Sequence, residues 1–450
     1  MNTNMKKTNF LLLLFFAISV YSQENKPLTL KDAINYALEN KADAKKARLK
    51  VENSEYQIQE VRARALPQIS ANGNLTYNPV IQSTFIDASA FGGAQGDVIK
   101  AKFGQKWTSI AGLSLTQNLF DQSVFTGLKA ARSTREFYII NEQLTEEQVI
   151  ERVANAYYQV YVQRQKLIVI DTTFKNTSKI KEIIKAQYDN GLAKKIDLNR
   201  ILVKITNINT QRQQIVNAIQ LQENALKFYM GMPMDTKINF ATSTFEVSPL
   251  AFSESPNTAN RSEFLLMKKN EQLLEFQKKS IVAGYYPTLS LTGNYSYIGQ
   301  GKEMPIGGLP SDGVYWTSFS SVGLNLKVPI FTGFGTRAKV RQADIELRKI
   351  KEDLNDTKLG LDMAFENAKL QIENSLETIK TQKENASLAQ EVQENTKNNY
   401  SQGLASLTDL LDSENALTEA QNNYTSALLD YKLAEIQLIK SKGELKTLTK

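Results

Sequence analysis

Pro67-Gln-Ile-Ser-Ala-Asn-Gly-Asn-Leu-Thr-Tyr77 and Pro287-Thr-Leu-Ser-Leu-Thr-Gly-Asn-Tyr-Ser-Tyr297 are two versions of one segment, about 220 residues apart. Each alternates with period two, the spacing at which successive strand side chains point to opposite faces. In the first, Ile69, Ala71, Leu75 and Tyr77 share one face, and Ser70, Asn72, Asn74 and Thr76 the other. In the second, Leu289, Leu291, Tyr295 and Tyr297 oppose Ser290, Thr292, Asn294 and Ser296. Two further strands put Trp107, Ala111, Leu113 and Leu115 together, and Trp316, Val322, Leu324 and Val328 together.

One such strand alone would suit a half-buried sheet in a soluble domain. Four features point to lipid instead. The strands, at about 67–78, 106–118, 287–298 and 315–328, have roughly the ten residues needed to cross hydrocarbon at a tilt. Tyr77, Trp107, Tyr295, Tyr297 and Trp316 lie toward strand ends, where a membrane aromatic girdle belongs. The intervening loops are long and Gly-rich, as in Phe91-Gly-Gly-Ala-Gln-Gly96 and Gly307-Gly-Leu-Pro-Ser-Asp-Gly313. Finally, Lys6 and Lys7 precede an apolar run from Phe10 to Val20 and a small-residue exit at Ser22, which reads as a signal peptide over 1–22 cut before Gln23. That run is too short to cross a bilayer as a helix. Four strands cannot close a barrel, since the smallest membrane barrels have eight, so several copies must combine.

Proline placement supplies the helices. None occurs between Pro79 and Pro233, or between Pro329 and Lys450, and a helix interior excludes proline. A helix from roughly Gln122 to Asp189, at ~1.5 Å per residue, would extend about 100 Å. The repetition continues through the helical stretches. Gly112-Leu-Ser-Leu115 matches Gly323-Leu-Asn-Leu326, and Tyr188-Asp-Asn-Gly-Leu-Ala193 matches Tyr400-Ser-Gln-Gly-Leu-Ala405. The expected fold is therefore mostly α with a membrane β-barrel, built from a duplicated helix, strand, strand, long helix, helix unit. The first repeat would occupy 23–232 with a turn at 190–193, and the second 260–450 with a turn at 402–405. A linker over 233–259 would join them.

Composition narrows the chemistry. The chain has no cysteine and no histidine, which removes disulfides, thiolate metal sites, a lipid-bearing cysteine and the commonest general base. A net charge of +7 over 450 residues, spread in mixed-sign stretches, does not suggest nucleic acid. A hydrolase using paired carboxylates finds no acidic pair in a pocket-forming loop. No catalytic, cofactor or metal residue is therefore expected.

In this order, the elements resemble the TolC-like outer-membrane efflux family over nearly all of the chain beyond the signal peptide. The resemblance rests on the duplicated order, on Leu28-Thr-Leu-Lys-Asp-Ala-Ile-Asn-Tyr-Ala-Leu-Glu-Asn40, on the two Tyr-x-x-Gly-Leu-Ala turns, and on Thr408-Asp-Leu-Leu-Asp412 ahead of an Ala/Leu/Asn-rich helix. It implies a homotrimer in the outer membrane, with a twelve-stranded β-barrel continuing into a twelve-helix periplasmic α-barrel. Long helices are expected near Gln122–Asp189 and Arg337–Ser401. Their partner columns would be Ala42–Ala65 with Lys195–Met230, and Asn260–Tyr285 with Ser406–Thr447; the linker would join an equatorial collar. The function implied is a passive duct that exports small molecules or proteins delivered by an inner-membrane pump and a periplasmic adaptor. A helical-hairpin adaptor or scaffold would share the signal peptide and the helices, but would not need paired amphipathic strands.

The resemblance also assigns sites. Gly191-Leu192-Ala193 and Gly403-Leu404-Ala405 match turns that meet the adaptor, although glycine would end a helix there in any case. Asp409 and Asp412 match a pair lining the periplasmic entrance, where three copies would present six carboxylates that hard cations could bridge. Asp409 also fits an N-terminal capping box with Ser406. Asp197 and Tyr400 match positions that tie neighbouring helices in the closed state. Arg200 stands where the first repeat would carry a second aspartate, and Ala405 stands where some relatives carry an arginine. Lys194, Lys195 and Arg200 are the cations that could replace it.

Overall fold

The computed structural model describes residues 27–240, 258–305 and 313–449. The signal peptide, most of the 233–259 linker and the loop at 307–312 lie outside the described residues. The chain forms two compact units, one from 1–49, 140–265 and 356–450, the other from 50–139 and 266–355. The helices, in chain order, are α1 (Leu30–Asn40), α2 (Ala42–Ala63), α3 (Gln122–Asp189), α4 (Lys195–Met230), α5 (Ser262–Ala283), α6 (Gly335–Ser401) and α7 (Leu407–Lys442). The strands are β1 (Gln68–Tyr77), β2 (Ser83–Asp87), β3 (Val98–Lys102), β4 (Trp107–Phe120), β5 (Thr288–Gly301) and β6 (Val314–Lys327).

In the second unit, an antiparallel sheet runs in the order β1-β4-β5-β6. Its register aligns the alternations: Ile69 faces Leu115, Ala71 faces Leu113 and Tyr77 faces Trp107. Leu113 then faces Tyr295, and Leu291 faces Leu324. One face is thus mostly apolar, interrupted by Ser109, Gln117, Ser318 and Ser320. The other is polar, with the Ser70 and Ser114 hydroxyls 2.7 Å apart and Ser321 bonded to Asn294. Ile110, Ile298 and Phe319 interrupt that polar face, the first two directly opposite each other.

Three details differ from the sequence reading. β4 and β5 run on to Phe120 and Gly301, past the expected ends at 118 and 298, because pairing persists past the alternating core, while β6 keeps the expected 14 residues shifted by one. The loop after β1 contains a second hairpin, β2 paired with β3, joined through a 3-10 turn at Ala88–Phe91 and left-handed Gly92. Aromatic pairs also mark both ends of the strands. At one end Tyr77 lies 4.6 Å from Trp107, and Tyr297 stacks on Trp316 at 4.9 Å. At the other lie Phe120–Phe125 and Phe331–Phe334. Trp316 covers Gly299, where a Cβ would come within 2.7 Å of its ring, so only glycine fits beneath it.

In the first unit, α1 opens with a capping box between Thr29 and Asp32. It buries Ala33, Ile34 and Ala37 among Ile150, Val153 and Tyr157 of α3, and Leu226 and Met230 of α4. A second apolar seam joins Ala368, Ile372 and Ile379 of α6 to Tyr431, Ala434 and Leu438 of α7. Glycines at Gly231 and Gly443 end α4 and α7 in left-handed geometry. Because Ile372 is fully buried, Ile372→Ala should cost about 2–5 kcal/mol. It should lower the thermal midpoint followed by circular dichroism, whereas exposed Glu373→Ala should leave it within about 0.5 kcal/mol of wild type.

Candidate functional site

The two turns share one backbone design. At the end of α3, Gly191 has φ 76°, its N–H donates to the Tyr188 carbonyl at 2.9 Å, and the Leu192 N–H donates to that of Gln187 at 2.7 Å. At the end of α6, Gly403 has φ 76°, with bonds to Tyr400 at 3.1 Å and from Leu404 to Asn399 at 2.8 Å. In this Schellman arrangement, the apolar residue after the glycine usually packs on the residue whose carbonyl it caps. Here those residues are Gln187 and Asn399, and Leu192 and Leu404 remain 82% and 74% exposed. Ala193 and Ala405 are half-buried beside them.

The helices leaving the turns start differently. Ser406 caps α7: its Oγ accepts from the Asp409 N–H at 3.2 Å, while the Ser406 N–H and hydroxyl donate to Asp409 Oδ2 at 2.9 and 2.7 Å. Those bonds hold the Asp409 carboxyl below its usual range. Lys194 begins α4 with no side-chain cap. Asp197, in that first turn, lies 3.9 Å from Arg200, whose Nη1 donates to Thr408 at 3.2 Å. Of the candidate cations, Arg200 is thus the one that reaches Asp197 and α7 together. Asp412, one turn beyond Asp409, is exposed.

Behind the turns, Ile180 and Ile184 of α3, Ile201 of α4, and Leu407 and Leu410 of α7 form a buried cluster, with Leu198, Leu411 and Tyr400 packed on it. Burial first, and then the charge of Asp197, push the Tyr400 phenol upward. The structure therefore brings Asp197, Arg200, Tyr400 and Thr408 together, and leaves Asp409 and Asp412 on the exposed side of α7. No group of acidic residues able to hold a metal occurs within this one chain among the described residues. The sequence reading missed Glu414 and Lys204. The signal was present: Leu407, Leu410, Glu414 and Leu417 are spaced three and four apart, so Glu414 occupies a place in an apolar stripe.

The model of the family described as outer membrane efflux protein matches residues 33–232 and 259–444, most of the chain. The chain belongs to this family. It is an outer-membrane channel for efflux or secretion, reaching into the periplasm, and not an enzyme. Among curated relatives, outer membrane protein TolC of Vibrio cholerae is 24% identical over 342 residues, 74% of this chain and 76% of that protein. The alkaline protease secretion protein AprF of Pseudomonas aeruginosa is 24% identical over 429 residues, 91% of this chain and 83% of its own. Of solved structures, the outer-membrane protein VceC of Vibrio cholerae superposes with TM-score 0.72 at 16% identity, covering 92% of this chain and 96% of its own. The CmeC channel of Campylobacter jejuni gives 0.73 at 15%, covering 92% and 85%.

If the capping geometry sets the Asp409 carboxyl, Ser406→Ala should move its titration up into the ordinary carboxylate range. The sign comes from its lowered position: the cap is intact above the usual carboxylate value and is lost as pH falls through the lowered one. Carboxyl-carbon NMR chemical shifts across acid pH measure both positions.

Proposed function

We propose that this efflux channel works as a homotrimer, whose twelve strands close a barrel in the outer membrane and whose helices form a periplasmic tube of twelve columns from a duplicated unit. The observation that carries this reading is the four-stranded sheet with one apolar face and two unpaired edges, β1 and β6. In β6 the row that carries the apolar residues runs from Trp316 to Leu326, with Ser318 and Ser320 within it, about 33 Å of strand at ~3.3 Å per residue. At a tilt of about 45° that covers roughly 23 Å, close to the ~25 Å apolar band of an outer-membrane barrel. Tyr77, Trp107, Tyr295, Tyr297 and Trp316 would then sit toward the outer headgroups.

The helices support assembly as well. Leu359, Met363, Leu370, Leu388 and Val392 of α6 are exposed, and at 100° per residue they fall on one narrow stripe. Ile196, Val203, Leu221 and Phe228 form a similar stripe on α4. Apolar surface of that extent calls for cover by other copies.

At the turns, Leu192 and Leu404 would dock a periplasmic adaptor that couples the duct to an inner-membrane pump. The Asp409 and Asp412 carboxylates of three copies would line the entrance, and Asp197 with Tyr400 and Arg200 would hold it narrow. The reading predicts that Leu291→Arg, on the apolar face, blocks membrane assembly at about 2–4 kcal/mol near mid-bilayer, while Thr292→Arg on the polar face is tolerated. Outer-membrane fractionation of the two variants checks this, and equal behaviour would refute the assignment of faces. Separately, Leu404→Asp should abolish export while trimers form in normal yield; a parallel fall in trimer yield would make the leucine structural.

A further inference from the structure

β4 ends in a bulge between Asn118 and Phe120 that aligns Phe120 with Leu289, so this ring joins the mostly apolar face of the sheet. Its neighbour Phe125, in the first turn of α3, lies 6.3 Å away, and Phe125 lines a cavity of about 830 Å³ between α3 and α5. The cavity therefore continues the apolar side of the sheet just past the helix-side end of the strands. Its wall combines the rings of Phe125, Phe276 and Tyr286 with the ammonium groups of Lys129, Lys278 and Lys279. Among the described residues, Glu275 is the one carboxylate on that wall. Because α3 and α5 continue from β4 and β5, which pair within the chain, the cavity lies inside one chain and not at the open edges β1 and β6.

Positive charge is concentrated at this level. The stretches next to the sheet, 56–66, 121–132, 275–286 and 327–344, hold ten lysines and arginines against four acids, an excess of six in a chain whose net charge is +7. In the cavity, Lys278 pairs with Asp344 of α6 at 2.5 Å, while Lys279 lies 4.0 Å from Glu275 and 5.3 Å over the Phe276 ring. Lys129 has no ion pair among the described residues. Ion pairs exposed to this degree contribute little, so the lysines are able to turn to an incoming phosphate. Lysine binds phosphate as a point charge, and the rings beside it suit the glycerol and first methylenes of a lipid. Depth agrees as well. Gln122 to Lys129 is about 10 Å of helix, the headgroup layer is about 5–8 Å deep on each side of the hydrocarbon, and the Lys129 side chain leans back toward the start of α3.

We propose that this cavity is a binding site for the headgroup of an anionic phospholipid in the periplasmic leaflet of the outer membrane. The phosphate sits among Lys129, Lys278 and Lys279, and the acyl chains run over Phe125 and Phe120 onto the apolar face of the sheet. A zwitterionic lipid brings its own ammonium against the basic wall and is held less well. Occupied, the site pins the level at which strands give way to helices. This rests on the reading that the apolar face meets lipid, and the test separates the two.

The experiment mixes the detergent-purified protein with phosphatidylglycerol or phosphatidylcholine and counts bound lipid by native mass spectrometry. It compares wild type with two double variants, Lys129→Gln, Lys279→Gln in the cavity and Lys339→Gln, Arg341→Gln on α6. The second removes equal charge from the same belt outside the cavity, and all four side chains are exposed, so both variants should melt like wild type. Wild type and the α6 variant should retain phosphatidylglycerol several-fold better than phosphatidylcholine, and the cavity variant should lose that preference. Equal retention of the two lipids by wild type would overturn the site, as would equal loss in both variants, which would leave only diffuse surface charge. Displacement of phosphatidylglycerol by an equimolar amount of inorganic phosphate would overturn the lipid assignment. Wild type that stays dispersed without detergent would overturn the reading of the faces, whereas detergent-dependent protein with an unaffected cavity variant would overturn the site alone.

Discussion

A backbone N–H or C=O in hydrocarbon has no water to bond, so every strand that enters a membrane must be paired on both sides. This chain brings four strands in a row and leaves β1 and β6 with open edges. That constraint governs the remaining features. The outward row of Leu113, Leu291, Leu324 and their neighbours can face lipid only if the edges are closed by other copies. If copies close the sheet around an axis, as proposed, the long helices that continue from the strands would be repeated around it too.

The same symmetry gives meaning to features that are weak within one chain. A single Asp409 is an ordinary helix cap, and a single Leu404 an exposed side chain at a turn. In the proposed trimer, repeated around an axis, they would become an acidic entrance and an apolar rim. The two turns are alike in backbone, but the helices that leave them begin differently: α7 is capped by Ser406 and Asp409, whereas α4 is left to Asp197 and Arg200. Arg200 then bonds Thr408 on α7, so the two hairpins meet through polar contacts on the surface and through Tyr400, Ile201 and Leu410 beneath it.

Helix ends were the most legible part of the sequence. Gln122–Asp189 could be read directly because no proline interrupts it and Gly191 stops it, and the structure places both ends there. Strand faces were legible because alternation is a local signal. Strand lengths were not, since pairing beyond residues 118 and 298 depends on a partner strand far away in sequence. The β2–β3 hairpin escaped notice because five-residue strands such as Val98–Lys102 carry too little alternation to stand out. Glu414 escaped for a different reason: an acidic residue among Asn and Asp neighbours reads as surface, and only the spacing of Leu407, Leu410 and Leu417 shows that it points inward.

The account turns on closure of the sheet by other copies, and the absence of cysteine from the chain makes that directly measurable. Cysteine pairs can be introduced along the two edges, one in β1 and one in β6, and oxidised in isolated outer membranes. The account predicts that some register positions yield covalent species of two and then three copies, with none larger. Linkage only within single chains, or ladders that continue past three, would contradict it.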